Sequence, residues 1–150
     1  MKKVLKVVLG VVVFLIIGVN SLFFYKGSQS SKMPNKQTFQ NMVLGECSEK
    51  PNCVSTFHKK DSNHKIPPLK ITKEQFKKVE LPNNCNIVVQ NESYIYARCV
   101  SSIYKFVDDL ELLYLSDTSE LHLRSASRVG YSDLGANQKR ANNIFEQFVK

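Results

Sequence analysis

The sequence predicts an α+β domain, a four-stranded antiparallel meander flanked by two helices, that follows an N-terminal transmembrane helix. Three observations support this fold class: a long uncharged segment near the N-terminus, two stretches in which apolar and polar residues alternate about a short turn, and helical apolar spacing before and after them. Alternation with period two indicates strands with one buried face, whereas recurrence at three and four residues indicates helices. With 150 residues, the chain can form one domain with a modest core behind the N-terminal segment.

The N-terminal segment Val7–Tyr25 contains nineteen residues without a charge. As a helix it is about 28 Å long, close to the hydrocarbon thickness of a bilayer. Because no A-x-A site follows and Leu22–Phe24 extend the apolar run, we expect an uncleaved signal anchor, with a cleaved signal peptide as the alternative. Lys2, Lys3 and Lys6 favour an N-terminus inside the cell. We therefore predict a single-pass protein of the inner (cytoplasmic) membrane with a periplasmic globular domain.

Composition divides the chain into a membrane helix at 1–25, a polar tether at 26–41 and one globular domain at 42–150. The formal net charge is +8, and residues 26–78 hold eleven lysines against four acids. Such a Lys-rich stretch beside a bilayer predicts attraction to anionic lipid head groups, although a solvated tether has the same composition. The chain has only four arginines and no basic run interleaved with aromatic residues, which argues against nucleic-acid binding.

An even number of cysteines beyond a membrane anchor indicates disulfides in an oxidising compartment. The four cysteines are Cys47, Cys53, Cys85 and Cys99. Cys47 and Cys53 enclose a short, turn-rich loop. Cys85 and Cys99 face each other across a hairpin if Gln90 pairs with Tyr94 around a three-residue loop.

Three other roles for these cysteines stay open. Cys85 and Cys99 could be buried free thiols. Cys47, Cys53, His58 and His64 could bind zinc, but their spacing departs from zinc-finger patterns, so we predict no metal. A Cys53–His64 nucleophile lacks any recognisable base orientation or oxyanion hole.

The first domain helix has a clear start, because Thr72 and Gln75 form a capping box, and Pro82 ends it. After the first hairpin, strands at Phe106–Leu115 and Glu120–Arg128 form a second hairpin. Its predicted buried face carries Phe106, Leu110, Leu112, Tyr114, Leu121 and Leu123, and its other face carries Asp109, Glu111, His122, Arg124 and Arg128.

Pairing Leu115 with Glu120 places Glu111 opposite Arg124 in this second hairpin. Ser132 or Asp133 is the predicted cap of the last helix. The apolar stripe of that helix is Ala141, Ile144, Phe145 and Phe148.

Polar residues are concentrated in three stretches: PNCVS at 51–55, FVDDLE at 106–111 and LRSASRVGYSDLGANQKR at 123–140. From about Gly45 to the C-terminus they resemble the family catalogued as domain of unknown function 1499. The resemblance implies a bacterial or plastid protein, often membrane-anchored, with no established activity. The family usually reads N-R-x-R after the last glycine, whereas Gln138 replaces the first basic residue here. The Cys85 and Cys99 pair is outside the family pattern.

The Arg- and Ser-rich signature predicts a site for an anionic or polar ligand. Its candidate residues are Arg124, Arg128, Arg140, Tyr131, Ser132, Asp133 and Asp109. A purely structural alternative is an ion network of Asp108, Asp109 and Glu111 with Arg124 and Arg128. Alternation sends Ser125 and Ser127 to the face opposite Arg124, so a single site would need a bend near Arg128.

The sequence therefore predicts a non-catalytic binding or accessory module of the cell envelope that uses no cofactor. Its expected partners are the membrane, including anionic lipid head groups, and an acidic envelope protein or other anionic ligand. The alternative is a hydrolase in which Asp108 and Asp109 form an acid–base or metal-binding pair and Arg128 stabilises negative charge. Adjacent residues on a strand point to opposite faces, which argues against such a pair. A third alternative is a structural subunit of a larger membrane complex.

Overall fold

A computed structural model of the chain describes residues 2–32, 43–57 and 64–149. Its helices are α1 (Lys2–Ser30), α2 (Lys73–Lys77) and α3 (Ala136–Phe145), which continues into a 3₁₀ turn at Glu146–Phe148. Its strands are β1 (Cys53–Ser55), β2 (Leu69–Lys70), β3 (Cys85–Gln90), β4 (Tyr94–Val100), β5 (Val107–Leu115) and β6 (Glu120–Ser127). The α+β class, with an antiparallel sheet and a long apolar N-terminal helix, is thus confirmed.

The sheet has six strands in the described residues, two more than the four predicted. Strands β3 to β6 pair antiparallel in chain order, and the short strands β1 and β2 both pair with the outer edge of β6. These additions have three and two residues, too few to display an alternating pattern.

One face of the sheet carries the main apolar core. Strands β4 to β6 supply its centre, α2 adds Phe76, and α3 adds Ala141 and Ile144. The helix α2 begins as predicted, with Thr72 and Gln75 in a reciprocal capping box. The predicted inward residue Phe106 is not among the buried core residues and instead contacts Phe23 of α1.

The opposite face of the sheet is also covered. Tyr94 and Tyr96 are fully buried there and pack with Leu44 from the segment before β1. Asp109 and Glu111 lie on this face and are buried too. The polar face of the second hairpin is therefore an interior layer, not a solvated surface.

The two hairpins differ in how closely they follow the predicted register. The second pairs Leu115 with Glu120 and Glu111 with Arg124, as predicted. In the first, Cys85 faces Cys99, but a bulge between Ile87 and Val89 makes Gln90 pair with Ile95 instead of Tyr94. The bulge turns Val89 to the face of Tyr96, away from the main core.

The predicted cap of α3 needs a correction. The N-cap residue is Gly135 at φ 79°, a left-handed conformation that suits glycine, and no side chain caps from that position. Asp133 acts from two residues earlier, because its carboxylate accepts hydrogen bonds from the backbone N–H groups of Gly135 and Asn137 at 3.1 and 2.7 Å. The Ser132 hydroxyl accepts from Leu134 N at 3.2 Å, so in the described contacts it does not cap the helix.

The helix α1 fits a single-pass membrane anchor, since it is long and apolar enough to cross a bilayer. It continues through residues 26–30, which the composition had assigned to the tether; residues 33–42 lie outside the described part of the chain. Two disulfides, Cys47–Cys53 and Cys85–Cys99, form as predicted and fit an extracytoplasmic domain.

Candidate functional site

Arg128 lies just after β6 and binds a buried carboxylate on β5. Its Nε donates to both oxygens of Asp109 at 3.0 Å, and its Nη2 donates to Oδ1 at 2.7 Å. The hydroxyl of Tyr96 accepts from Arg128 Nη2 at 2.9 Å and donates to Asp109 at 2.7 Å. Each group of this triad is thus satisfied inside the sheet's polar face.

The same guanidinium also binds the end of α1. Arg128 Nη1 donates to the carbonyl oxygens of Ser30, at 3.2 Å, and of Lys32. The last carbonyls of a helix have no partner within it and carry its negative dipole end, so a cation is favourable there. Burial by itself lowers the pKa of Arg128, but the hydrogen bond to Asp109 and the charge of that carboxylate raise it by more. The pKa is therefore above its ordinary value, and the guanidinium stays charged.

The backbone at the start of β5 reinforces this contact with α1. The amide of Val107 donates to the hydroxyl of Ser30 at 2.9 Å, and Ser30 is buried. Gly27 packs so closely that a β-carbon there would overlap the carbonyl oxygen of Tyr104. About two turns earlier, the Asn20 side chain accepts a hydrogen bond from the Tyr104 hydroxyl at 2.9 Å.

Arg124 forms a second ion pair on the same face. Its Nη1 donates to Glu111 at 2.8 Å, and Glu111 also accepts from the Tyr94 hydroxyl at 3.1 Å and from Gly45 N at 3.4 Å. The Nε of Arg124 is buried and has no hydrogen-bond partner among the described residues. Arg124 thus keeps one donor that Glu111 does not use.

Burial raises the pKa of both tyrosines on this face well above the ordinary value. The neighbouring carboxylates, Glu111 for Tyr94 and Asp109 for Tyr96, raise it further because they accept the phenolic hydrogen bonds. Both phenols therefore act as neutral donors.

Arg140 belongs to the opposite face of the sheet. Its Nη2 donates to Asp108 at 2.8 Å, and its Nη1 donates to Ser125 and Asn137 at 2.8 and 2.6 Å. This buried cluster attaches α3 to the sheet. The structure therefore does not bring Arg140 together with Arg124 and Arg128, and β6 ends at Ser127 without the bulge that a joint site would require.

The remaining candidates lie in the loop between β6 and α3. Tyr131 is 73% exposed, and Ser132 and Asp133 bond only to nearby groups of the loop and helix in the described contacts. The hydrolase alternative receives no geometric support either. Asp108 pairs with Arg140 on one face, and Asp109 pairs with Arg128 on the other.

A polar cleft of about 420 Å³ opens between the end of α1, the segment before β1 and the end of β6. It brings together Arg124, Arg128 and Asp109 of the predicted set. Further polar groups on its wall are Gln29, Ser30, Lys32, Glu46, Ser48, Asn52 and Ser127. This cleft is the candidate site.

Sequence reasoning missed a residue that lines the cleft and two that hold the carboxylate partners of its arginines. Asn52, inside the PNCVS stretch, is buried and donates to Gly130 O at 3.1 Å, while its carbonyl accepts from Ser127 N at 2.9 Å and Asn137 Nδ2 at 3.0 Å. Tyr94 and Tyr96 are two residues apart on β4 and share a face with Asp109 and Glu111 of the neighbouring strand β5. This spacing could have indicated that the tyrosines bond to these acids.

The disulfide between Cys47 and Cys53 bears on the alternative roles of these cysteines. With the sulfurs bonded to each other, neither is a thiolate ligand or nucleophile in this form. His64 Nδ1 bonds to the Cys53 carbonyl oxygen at 2.8 Å, and His58 lies outside the described residues.

Comparison with known proteins places this architecture in a family. No curated protein and no solved structure matches the chain. Residues 43–148, more than half of the chain, match the family described as Protein of unknown function (DUF1499). These residues contain the whole sheet, α2, α3 and the domain side of the cleft. The chain therefore belongs to the DUF1499 family of proteins of unknown function.

Proposed function

We propose that this protein is a single-pass membrane protein whose extracytoplasmic domain binds the anionic head group of a membrane lipid in the cleft at the end of α1, and that it catalyses no reaction. The single observation that carries the proposal is the position of the cleft. It is built partly from the last residues of the anchor and partly from the arginine signature of the domain.

Retention of α1 is the first step of the argument. A cleaved signal peptide makes no contacts in the mature fold, whereas α1 supplies bonding partners to Arg128, Val107 and Tyr104. Removal of α1 would leave Arg128 with unused donors and the Val107 amide without its partner. We therefore expect an uncleaved anchor. Lys2, Lys3 and Lys6 and the two disulfides favour the inner membrane with the domain on the periplasmic side.

The depth of the cleft is the second step. The apolar run of α1 ends at Tyr25, and Ser30 follows about 7 Å further along the helix axis. The polar layer on each side of a bilayer is roughly 5–8 Å thick. A cleft lined by Ser30 and Lys32 therefore lies at the level of lipid phosphates.

The donors available in the cleft are the third step. Arg128 already donates to Asp109, to Tyr96 and to the carbonyls at the end of α1. Arg124 retains a buried Nε without a partner among the described residues, and the exposed Lys32 lines the same cleft. Ser48, Asn52 and Ser127 add hydroxyls and an amide that suit phosphate oxygens, and the exposed carboxylate of Glu46 lies on the same wall, so the lining carries charges of both signs. An anionic head group in the cleft contacts the exposed Lys32 and leaves the Arg128–Asp109 pair intact.

Native mass spectrometry of the full chain in detergent tests the proposal, with phosphatidylglycerol compared to zwitterionic phosphatidylcholine. We expect phosphatidylglycerol adducts on the native protein and a several-fold loss of them in Arg124→Gln and Lys32→Gln. Lys139→Gln, an exposed charge change on α3, is the matched control and should bind as the native protein does. Equal binding of both lipids, or equal loss in the control, would contradict the proposal.

A further inference from the structure

We infer that the loop between β4 and β5, residues 101–106, is a second membrane contact that inserts into the interfacial layer of the bilayer beside the end of α1. The inference rests on the membrane anchor of the proposed function and goes beyond it. The loop presents Ile103, which is 66% exposed, followed by Tyr104, Lys105 and Phe106.

Aromatic contacts join this loop to the last turns of the apolar helix. The ring of Tyr104 lies 5.1 Å from Phe23 and 5.2 Å from Phe24, and Phe106 lies 6.3 Å from Phe23 between ring centroids. The close approach of Gly27 to the Tyr104 carbonyl continues the contact toward the cleft. The loop and these turns of α1 therefore lie at one depth.

That depth is the boundary between hydrocarbon and water. Phe23 and Phe24 lie in the last turn of the uncharged run, which ends at Tyr25, and residues 26–32 beyond it are mostly polar. Aromatic residues are enriched at this boundary, where a ring faces lipid and a polar tip reaches water. With α1 in the bilayer, Ile103 and Tyr104 are carried to its surface with the helix.

The chemistry of the loop suits this layer. Ile103 and the aromatic rings supply apolar area, whereas the Lys105 ammonium can extend to lipid phosphates. An isolated exposed isoleucine would need no explanation, but this one adjoins a cluster that already includes the membrane helix.

The loop is also held in a fixed shape. Ser101 N donates to Phe106 O at 2.9 Å, and Phe106 N donates to the Ser101 hydroxyl at 2.9 Å. Lys105 adopts φ 59°, a conformation that a lysine keeps only when its surroundings impose it. The loop thus meets the bilayer with its backbone already satisfied, so contact requires little further ordering.

The absence of tryptophan from the chain permits a direct test with single reporters. Full-length Ile103→Trp is reconstituted into vesicles containing lipids brominated near the head group, and quenching of its emission is measured. Phe14→Trp, in the middle of α1, is measured in parallel vesicles whose lipids are brominated near the ends of the acyl chains, where it reports insertion of the anchor. Asp117→Trp, in the exposed turn beyond the far end of β5, is the control, since β5 is about 27 Å long.

We expect the emission of Ile103→Trp to lose most of its intensity and to shift to shorter wavelength. The emission of Asp117→Trp should keep its intensity and its wavelength. Ser102→Trp, also exposed, is a second reporter if the first variant folds poorly. Quenched Phe14→Trp with unquenched loop reporters would overturn the loop contact and leave the anchor intact. Unquenched Phe14→Trp would overturn the anchor and the loop contact together.

Discussion

Arg128 and Asp109 form a two-point ion pair across the end of the sheet, with Arg128 Nε and Nη2 at 3.0 and 2.7 Å from the carboxylate. The third nitrogen of the same guanidinium donates to Ser30 O at the end of α1. One side chain thus connects the sheet to the anchor. A planar fork with several donors can do this, whereas a lysine ammonium cannot satisfy the same directions.

Arg128→Ala should destabilise the protein by roughly 3 kcal/mol, because it leaves the buried Asp109 carboxylate without its cation. Arg128→Lys should lower the free energy of unfolding by less, since a positive charge remains beside Asp109. Thermal unfolding of the full chain in detergent measures both, and hydrogen exchange should rise at residues 27–32. Lys139→Ala is the control. Unfolding temperatures unchanged from the native protein would show that the pair contributes nothing to the fold.

Gly27→Ala should separate α1 from the domain, since its β-carbon would overlap the backbone carbonyl of Tyr104. Gly18→Ala is the matched control, because nothing lies within 4 Å of a β-carbon there. Alanine stabilises a helix by about 1 kcal/mol relative to glycine, so any loss of stability in Gly27→Ala comes from the lost contact between α1 and the domain. We expect faster amide exchange in the 101–107 segment for Gly27→Ala alone. Equal exchange in the two variants would contradict close docking.

The second hairpin could be predicted in detail because apolar residues recur at alternate positions along much of both strands and its turn is short. The pairing of Glu111 with Arg124 followed directly. In the first hairpin the register changed at Val88, since a bulge depends on local backbone geometry that the apolar pattern does not encode. Cys85 and Cys99 were still matched correctly, because the one-residue shift at the bulge offsets the error in the pairing predicted beside the loop.

The cleft could be predicted only in part. The sequence indicated Arg124, Arg128 and Asp109, but it could not show that Arg128 binds the carbonyls of Ser30 and Lys32. Every residue has a carbonyl group, so such an acceptor leaves no compositional signal. The same limit applies to Asn52, whose role depends on which backbone groups the fold brings near it.

The Cys85–Cys99 disulfide should contribute more stability than the Cys47–Cys53 disulfide. Their cysteines are 14 and 6 residues apart, which corresponds to roughly 3 and 2 kcal/mol of loop-closure entropy. Double Cys→Ser variants of each pair, compared by chemical unfolding, measure the difference. Intact mass before and after reduction checks that each variant retains the other bond. A larger loss for the Cys47–Cys53 variant would contradict this order.

Alkaline pH should destabilise the domain through Tyr94 and Tyr96. Burial and the adjacent carboxylates raise the pKa of both phenols in the folded state. Above about pH 10 the unfolded chain releases these protons while the folded chain keeps them, so the free energy of unfolding falls as pH rises, by up to about 1.4 kcal/mol per pH unit for each phenol. Tyr94→Phe and Tyr96→Phe should each make this fall less steep, although each removes a buried hydrogen bond and lowers stability at neutral pH. Urea unfolding between neutral pH and pH 11 measures the slope, and a slope that neither variant changes would contradict neutral, buried phenols.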